Sequence, residues 1–246
     1  AYISNNLVYA AMAVFALSFV AHAFETAFAV RTPESKAATT GSKLVQTLDY
    51  KRTEKAARIA TTLMALGFIL LFGGVIARGI SNQHVPWSNM YEFSITGALS
   101  FTGAYLAALR KYDLRWLGLF VSLAALLTLG TAITLLYRDS APLVPALKPT
   151  WLVIHVVAAI ISGGVFLFAN IVAGAYLYLE RLESRGGRPA WLQRVPSIEV
   201  LDQLSYRLVA FVFPLWTFSV IAGAIWAESA WGRYWGWDPK ETWAFI

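Results

Sequence analysis

The sequence predicts an all-α membrane protein: a polytopic helix bundle of six spans plus the start of a further one, with its N-terminus outside. Hydrophobic residues make up 58% of the 246 positions and charged residues only 14%, against roughly 25% charged residues in soluble domains. Because lipid offers no hydrogen-bond partner to an exposed backbone, each crossing must be a helix. The chain has no cysteine, which excludes a disulfide scaffold, a thiol nucleophile and a thiolate metal site.

Six apolar runs are long enough, at about 20 residues each, to cross a bilayer. The first run is too long for the apolar part of a signal peptide and lacks a basic leader, so it is predicted as a span. Together the runs form a single membrane domain over residues 1–246. The predicted spans are Leu7–Val30, Ile59–Ile80, Phe93–Leu109, Trp116–Tyr137, Trp151–Leu179 and Leu208–Ala227.

The basic residues set the predicted orientation. Segments 31–58, 110–115 and 180–207 alternate with the other connections and hold fifteen of the 20 Lys and Arg residues. By the positive-inside rule they face the cytoplasm, which leaves outer loops at 81–92, 138–150 and 228–241. The net charge of +6 therefore reflects topology, and no nucleic-acid partner is expected. Within 180–207, residues 196–204 are predicted to form an amphipathic helix at the inner surface, with Ser197 as its N-cap.

The most unusual stretch is Trp231–Trp243, W-G-R-Y-W-G-W-D-P-K-E-T-W, which holds four of the ten tryptophans. Indole suits a surface that is partly apolar and partly wet, and Gly232 and Gly236 would let a planar ligand or another backbone approach closely. Asp238, Pro239 and Glu241 match an N-cap, a first helical residue and the N3 position of a capping box. A new helix is predicted from Pro239, and the apolar end of the chain is expected to begin another crossing in a longer protein.

Three histidines are candidate site residues. His155 lies about four residues into the fifth span, roughly one helical turn from its outer boundary, where an ionisable group is a functional candidate. It is either a neutral histidine bonded to a neighbouring helix or a ligand for iron. His22 and Glu25 share a helix face and form either a satisfied pair or an inner cofactor or proton site. His84 is expected to be solvated in its loop, and Glu92 to cap or anchor its helix.

Three stretches carry a family resemblance. The Trp-rich stretch resembles the WWD signature of haem-handling proteins in cytochrome c biogenesis. V-P-W-S-N-M-Y-E at 85–92 and P-A-L-K-P-T-W-L-V-I-H-V at 145–156 are similar to loops of the CcsA/ResC family, also called CcsB, of the system II pathway. The three motifs occur in order, and the similarity covers most of the chain from the second span onward.

The resemblance implies a site that binds haem b as substrate on the outer face. His155 would be an axial ligand of the haem iron. The haem cradle would comprise Trp231, Gly232, Trp235, Gly236, Trp237 and Asp238, while His22 would belong at most to an inner site. The family continues past this stretch with a second axial histidine, and the native chain is expected to do the same.

The resemblance also implies a function as a subunit of a cytochrome c synthase, or haem lyase. The haem vinyl groups would form thioether bonds with the C-x-x-C-H motif of apocytochrome c, with no catalytic residue supplied by this chain. The implied partners are a ResB/Ccs1-like membrane subunit and a thiol-reducing system for apocytochrome. The location would be a bacterial plasma membrane or a thylakoid membrane, with the Trp-rich stretch on the outer or lumenal face.

Two other functions stay open. A haem exporter or chaperone would bind and pass on haem without catalysing ligation, and the loops at 85–92 and 145–156 favour the synthase over it. A transporter without a cofactor would need paired intramembrane charges or broken helices near the midplane. His22 and Glu25 are the main candidates of that kind in the sequence.

Overall fold

A computed structural model of the protein describes residues 2–30, 40–139, 150–187, 192 and 195–246. Within these ranges the secondary structure is helical, with no strand, which confirms the predicted all-α class. The helices are α1 (Tyr2–Val30), α2 (Thr40–Asn82), α3 (Met90–Ala108), α4 (Gly118–Thr134, preceded by a 3-10 turn at Arg115–Leu117), α5 (Thr150–Glu183), α6 (Ile198–Trp231) and α7 (Pro239–Phe245).

Five of the described helices are long and apolar enough to cross a membrane, namely α1, α2, α4, α5 and α6. The chain is therefore an integral membrane protein. The third predicted span, Phe93–Leu109, lies on α3, a helix of 19 residues that is not among the five. Its buried side includes Glu92, Thr96 and Thr102. Five of the six predicted spans therefore lie on these five helices, and the remaining one lies on α3, which carries polar groups buried inside the bundle.

Two of the predicted segments are parts of longer helices. The surface helix predicted at 196–204 is the first part of α6, which continues without a break to Trp231. Ser197 occupies the N-cap position, but its side chain makes no capping hydrogen bond, and Leu201 and Leu204 are buried. Residues 40–58 of the predicted inner loop belong to α2. Residues 31–39 and 140–149 of the predicted connections lie outside the described residues.

Hydrogen bonds between α1 and α2 show that these helices are antiparallel. Near the start of α1, the Ser4 hydroxyl donates to the Gly74 carbonyl at 2.7 Å. Near its middle, the Ser18 hydroxyl donates to the Ala60 carbonyl at 2.9 Å. Each of these serines is buried, so both bonds satisfy a polar group that would otherwise be costly inside a membrane bundle.

Helix α3 runs parallel to α5. The Tyr105 ring meets the Phe168 ring edge-to-face, with centroids 6.1 Å apart. Nearer the start of both helices, a Cβ built on Gly164 would lie 2.3 Å from the Ser100 hydroxyl. A close approach of this kind requires a small residue on one of the two helices.

One end of the bundle therefore gathers the starts of α1, α3 and α5. The end of α4 is there too, since the Asn5 amide donates to the Tyr137 hydroxyl at 2.9 Å. We call this the tryptophan end, because α6 finishes there at Trp231. The alternation predicted from the basic residues places the outer loops at this end.

Candidate functional site

The His155 side chain points from α5 towards α6. Its Nδ1 atom lies 2.8 Å from the backbone carbonyl oxygen of Ser219. Since a carbonyl oxygen only accepts hydrogen bonds, Nδ1 carries the proton and donates it. The Nε2 atom then keeps a lone pair, and it makes no hydrogen bond with any other described residue. This is the tautomer required of a histidine that binds a metal through Nε2.

Helix α6 is shaped to receive this ring. The buried Ser219 hydroxyl donates back to the His155 backbone carbonyl at 3.1 Å. One turn later, a Cβ built on Gly223 would lie 2.7 Å from His155 Nδ1, a distance that real Cβ atoms do not show. The spacing of Ser219 and Gly223 is the small-x-x-x-small pattern that lets helices approach closely. That pattern was visible in the sequence, but nothing there connected it with His155.

Trp226 continues the same face of α6 and was not among the predicted site residues. Its indole is stacked on the His155 ring, with centroids 6.2 Å apart and an angle of 8° between the planes. Trp226 also contacts Trp231 at 4.9 Å in an edge-to-face arrangement. An unbroken line of rings therefore leads from His155 to the first residue of the Trp-rich stretch.

A left-handed glycine ends α6 and begins the turn. Gly232 has φ +69°, and its N–H donates to the Glu228 carbonyl at 2.8 Å, as expected of a glycine after the last helical residue. The next helix, α7, starts as predicted. Glu241 N–H donates to Asp238 Oδ1 at 2.9 Å, and Asp238 N–H donates to Glu241 Oε2 at 3.2 Å. This confirms the capping box, with Pro239 at the first helical position.

The tryptophans of the stretch remain open to their surroundings. Trp231 is 52% exposed and Trp237 is 65% exposed. Trp235 is half-buried, lies 5.7 Å from the Trp237 ring, and has a buried Nε1 atom with no hydrogen-bond partner among the described residues. Large exposed indoles offer flat apolar surface with a polar edge, which suits a planar ligand bound at the tryptophan end.

Helix α7 is joined to α6 by one hydrogen bond and has no buried residue of its own. The Trp216 indole N–H donates to the Ala244 carbonyl at 3.3 Å, and the Trp216 ring meets Phe166 of α5 edge-to-face. Phe245 contacts both Trp235 and Trp237. The Trp-rich turn is therefore supported on both sides, by the end of α6 and by α7.

His22 lies in the other half of the bundle. Its Nδ1 is 3.2 Å from Glu25 Oε2, and both side chains are buried. A Cβ built on Gly118 would lie 2.2 Å from His22 Nε2, so the ring packs directly on α4 and leaves no room for a macrocycle at Nε2. The pair with Glu25 is present, while the Nε2 atom of His22 is buried with no hydrogen-bond partner among the described residues, so an inner site at His22 stays a prediction. His84 binds the neighbouring Val85 carbonyl at 2.9 Å within its loop.

A buried ion pair organises the rest of the tryptophan end. Glu92 accepts from Arg78 Nε at 3.0 Å and from the Asn82 amide at 2.7 Å. Its other oxygen accepts from the Ser88 N–H and hydroxyl at 2.9 and 2.8 Å. Arg78 also donates to the Arg138 carbonyl at 2.7 Å. Glu92 is thus an anchor, as the sequence suggested, but the sequence did not show Arg78 as its partner.

The described residues contain no group of three or more His, Cys, Asp or Glu side chains able to hold a metal ion. What the tryptophan end offers is one imidazole with an available Nε2 atom beside a series of flat indoles. A single axial nitrogen and flat apolar walls are what a protein supplies to an iron porphyrin, whose other four ligands come from the macrocycle. The residues present therefore fit a haem better than a bare metal ion.

The fold and this site define a class: a polytopic helical membrane protein with a histidine and an aromatic turn at one end of its bundle. Comparison with known proteins agrees with this description. Residues 87–246 match the family model described as cytochrome C assembly protein. The chain belongs to this family, and its role lies in cytochrome c biogenesis.

Individual relatives carry the same assignment. The chain is 36% identical over 207 residues to the cytochrome c biogenesis protein CcsA of Guillardia theta, an alignment that covers 76% of this chain and 67% of the relative. It is 35% identical to CcsA of Mesostigma viride, over 69% of this chain and 63% of the relative. For CcsA of Chlamydomonas reinhardtii the identity is 34%, over 78% and 55%. The chain thus spans between about half and two thirds of the length of these relatives.

Proposed function

We propose that this protein presents haem at the tryptophan end for covalent attachment to apocytochrome c, as a subunit of a cytochrome c synthase. The observation that supports this most directly is the state of His155. Its Nδ1 proton is held by the Ser219 carbonyl at 2.8 Å, and its ring is stacked on Trp226. Nε2 is therefore the nitrogen left to bind iron, beside the aromatic surface on which a macrocycle would lie.

The residues of the site have separate roles in this proposal. His155 is the axial ligand, and the exposed rings of Trp231 and Trp237 with the half-buried Trp235 form the cradle. Gly232 makes the left-handed turn that brings the cradle back towards α6. Asp238 caps α7 and so fixes the far side of the turn.

The chemistry of attachment needs no nucleophile from this chain. Haem is the substrate, and the two thiols of a C-x-x-C-H motif add across its two vinyl groups to form thioethers. The thiols come from apocytochrome c, kept reduced by a thiol-reducing system, and this chain has no cysteine to compete with them. Its contribution is to fix the haem where the thiols can reach it, which lowers the entropic barrier of the reaction, and to set the iron environment through His155.

The proposed orientation places the tryptophan end on the outer or lumenal side of the membrane. The support is the distribution of Lys and Arg, fifteen of 20 of which lie in the alternate connecting segments. Apocytochrome c would approach from the same side. A ResB/Ccs1-like membrane subunit would complete the synthase in a bacterial plasma membrane or a thylakoid membrane.

The test is the absorption spectrum of the purified protein, compared with His155→Ala and with His84→Ala as a matched control. His84 lies at the same end of the bundle, where its ring is bonded to the neighbouring Val85 carbonyl of its own loop. Loss of the Soret band in His155→Ala, its retention in His84→Ala and its recovery on adding free imidazole to His155→Ala would support the proposal. An unchanged Soret band in His155→Ala would remove His155 from the site.

A second experiment separates the synthase from a haem chaperone or exporter. The chain and its membrane partner are co-expressed with an apocytochrome c, and covalent haem is measured on the apocytochrome. Thioether product that depends on His155 supports the synthase. Haem bound to this chain without any product supports the chaperone instead.

A further inference from the structure

We propose that Arg233 is a positioning residue for the aromatic turn, and that Gly236 is the seat of its guanidinium group rather than a point of contact with a planar ligand. The functional consequence of this positioning rests on the proposed haem site. The positioning itself is inferred from the geometry of the turn, and one of its tests uses no haem.

The first observation concerns Gly236. A Cβ built on this residue would lie 1.2 Å from Arg233 Nη1 and 2.0 Å from Arg233 Cζ. The open side of the glycine is therefore occupied by the guanidinium. Gly236 is not among the glycines with positive φ, so its backbone does not require glycine. A Cβ added at this position would have to displace the guanidinium, which is the far end of a flexible side chain.

The second observation concerns the surroundings of the same guanidinium. It lies over the Trp231 ring, 5.9 Å from the centroid, within the range of a cation–π contact. It also lies 3.5 Å from Glu241 Oε1 and 4.0 Å from Asp238 Oδ2. Arg233 thus joins the last residue of α6 to both carboxylates of the α7 capping box. Because it is 44% exposed, its ion pairs contribute little energy, and its effect is on geometry.

The third observation is the strain that this arrangement holds. Trp237 has φ +57°, a left-handed backbone conformation that is strained for a bulky residue. Glu241 Oε2 accepts the N–H groups on both sides of it, from Gly236 at 2.6 Å and from Asp238 at 3.2 Å. Glu241 thus fixes the peptides that flank Trp237, and Arg233 pairs with its other oxygen.

These contacts link the position of Arg233 to the orientation of the Trp237 indole. Arg233 sits against Gly236 and aligns the Glu241 carboxylate, and Glu241 holds the two peptides that keep Trp237 in its exposed pose. Removing Arg233 frees Glu241, and the Trp237 indole then loses its fixed position relative to Trp231. A planar ligand that uses both rings would be bound more weakly, by about 10-fold, as is typical when a group that orients a ligand-binding side chain is lost.

The test is a double-mutant cycle with Arg233→Ala, Gly236→Ala and the double variant, read out by haem affinity. The two single variants are expected to lose about the same 10-fold, because an alanine at 236 displaces the guanidinium. The double variant should lose no more than either single variant, since both changes remove one interaction. If adding Gly236→Ala to Arg233→Ala lowered the haem affinity again by the same factor, the proposal would be overturned and Gly236 would be a direct ligand contact.

Two more variants sharpen the cycle. Arg233→Lys keeps the charge but not the planar fork, so it should restore little of the affinity, whereas a purely electrostatic role would let lysine substitute fully. Lys240→Ala is the matched control, because Lys240 is a cation of the same turn that makes no ion pair with another described residue. It should bind haem as the unmodified protein does.

Hydrogen exchange of peptides covering 232–241 provides the readout without haem. The N–H groups of Gly236 and Asp238 should exchange faster in both single variants and remain slow in Lys240→Ala. Unchanged exchange would show that Arg233 does not position the turn, even if its loss weakens haem binding. If no variant binds haem but exchange responds as expected, the haem proposal fails while the positioning proposal stands.

Discussion

Replacing Glu92 by alanine should cost far more stability than replacing Glu54, although each glutamate pairs with an arginine. The Arg78–Glu92 pair is 0% exposed on both sides, whereas the Arg58–Glu54 pair is 74% and 36% exposed. Without Glu92 the Arg78 charge stays buried with no counterion, and Asn82 and Ser88 lose their acceptor. Breaking a buried pair in this way costs about 3–5 kcal/mol, against about 0.2–1 kcal/mol for an exposed pair.

The assay is thermal unfolding in detergent, followed by the loss of the monodisperse peak in size-exclusion chromatography. For a chain of this size about 1 kcal/mol corresponds to 2–4 °C. Glu92→Ala should therefore lower the midpoint by about 6–20 °C and Glu54→Ala by no more than about 4 °C. Replacing Arg78 and Glu92 together by leucine should be less harmful than Glu92→Ala alone, since no charge is left buried. Equal shifts for Glu92→Ala and Glu54→Ala would refute this reasoning.

Two further predictions use helical glycines, each compared with a control glycine that has open space at its Cβ position. Gly223→Ala should push the His155 ring off α6, because the new Cβ would lie 2.7 Å from Nδ1. It should therefore reduce the Soret band and destabilise the fold by about 1–3 kcal/mol. The control Gly163→Ala on α5 has nothing within 4 Å of its Cβ position and should leave both the spectrum and the stability unchanged. Gly118→Ala should destabilise the fold by a similar amount, since its Cβ would lie 2.2 Å from His22 Nε2, but it should not change the haem spectrum. The control is Gly130→Ala on the same helix, which has nothing within 4 Å of its Cβ position. A spectral change in Gly118→Ala would instead show that His22 takes part in haem binding.

The features that the sequence predicted well are those encoded within a few neighbouring residues. The capping box at Asp238 and Glu241 depends on a spacing of three, and it is present with both of its hydrogen bonds. Long apolar runs predicted five crossings because burial in lipid is a property of a whole segment. Helix α3 is less apolar than these five, and Glu92 near its start is buried inside the protein as the partner of Arg78 from another helix.

The features that it missed depend on contacts between distant residues. Ser219 bonds to His155 across 64 positions, and no local period relates the two. In the sequence, Trp226 is one of several aromatic residues of an apolar helix. Its contact with His155 forms only because α5 and α6 pack together. In each case the partner was decided by tertiary packing, which composition and spacing do not encode.

The acceptor that orients His155 is part of the main chain, and this has a practical consequence. A change of side chain at 219 does not remove this acceptor, since every amino acid carries the same carbonyl. Acid does not remove this acceptor either, whereas acid would protonate an ionised carboxyl group and so remove a bond to it. Point variants at position 219 therefore report on the small side chain that lets α5 and α6 approach, and not on the carbonyl that orients the His155 ring.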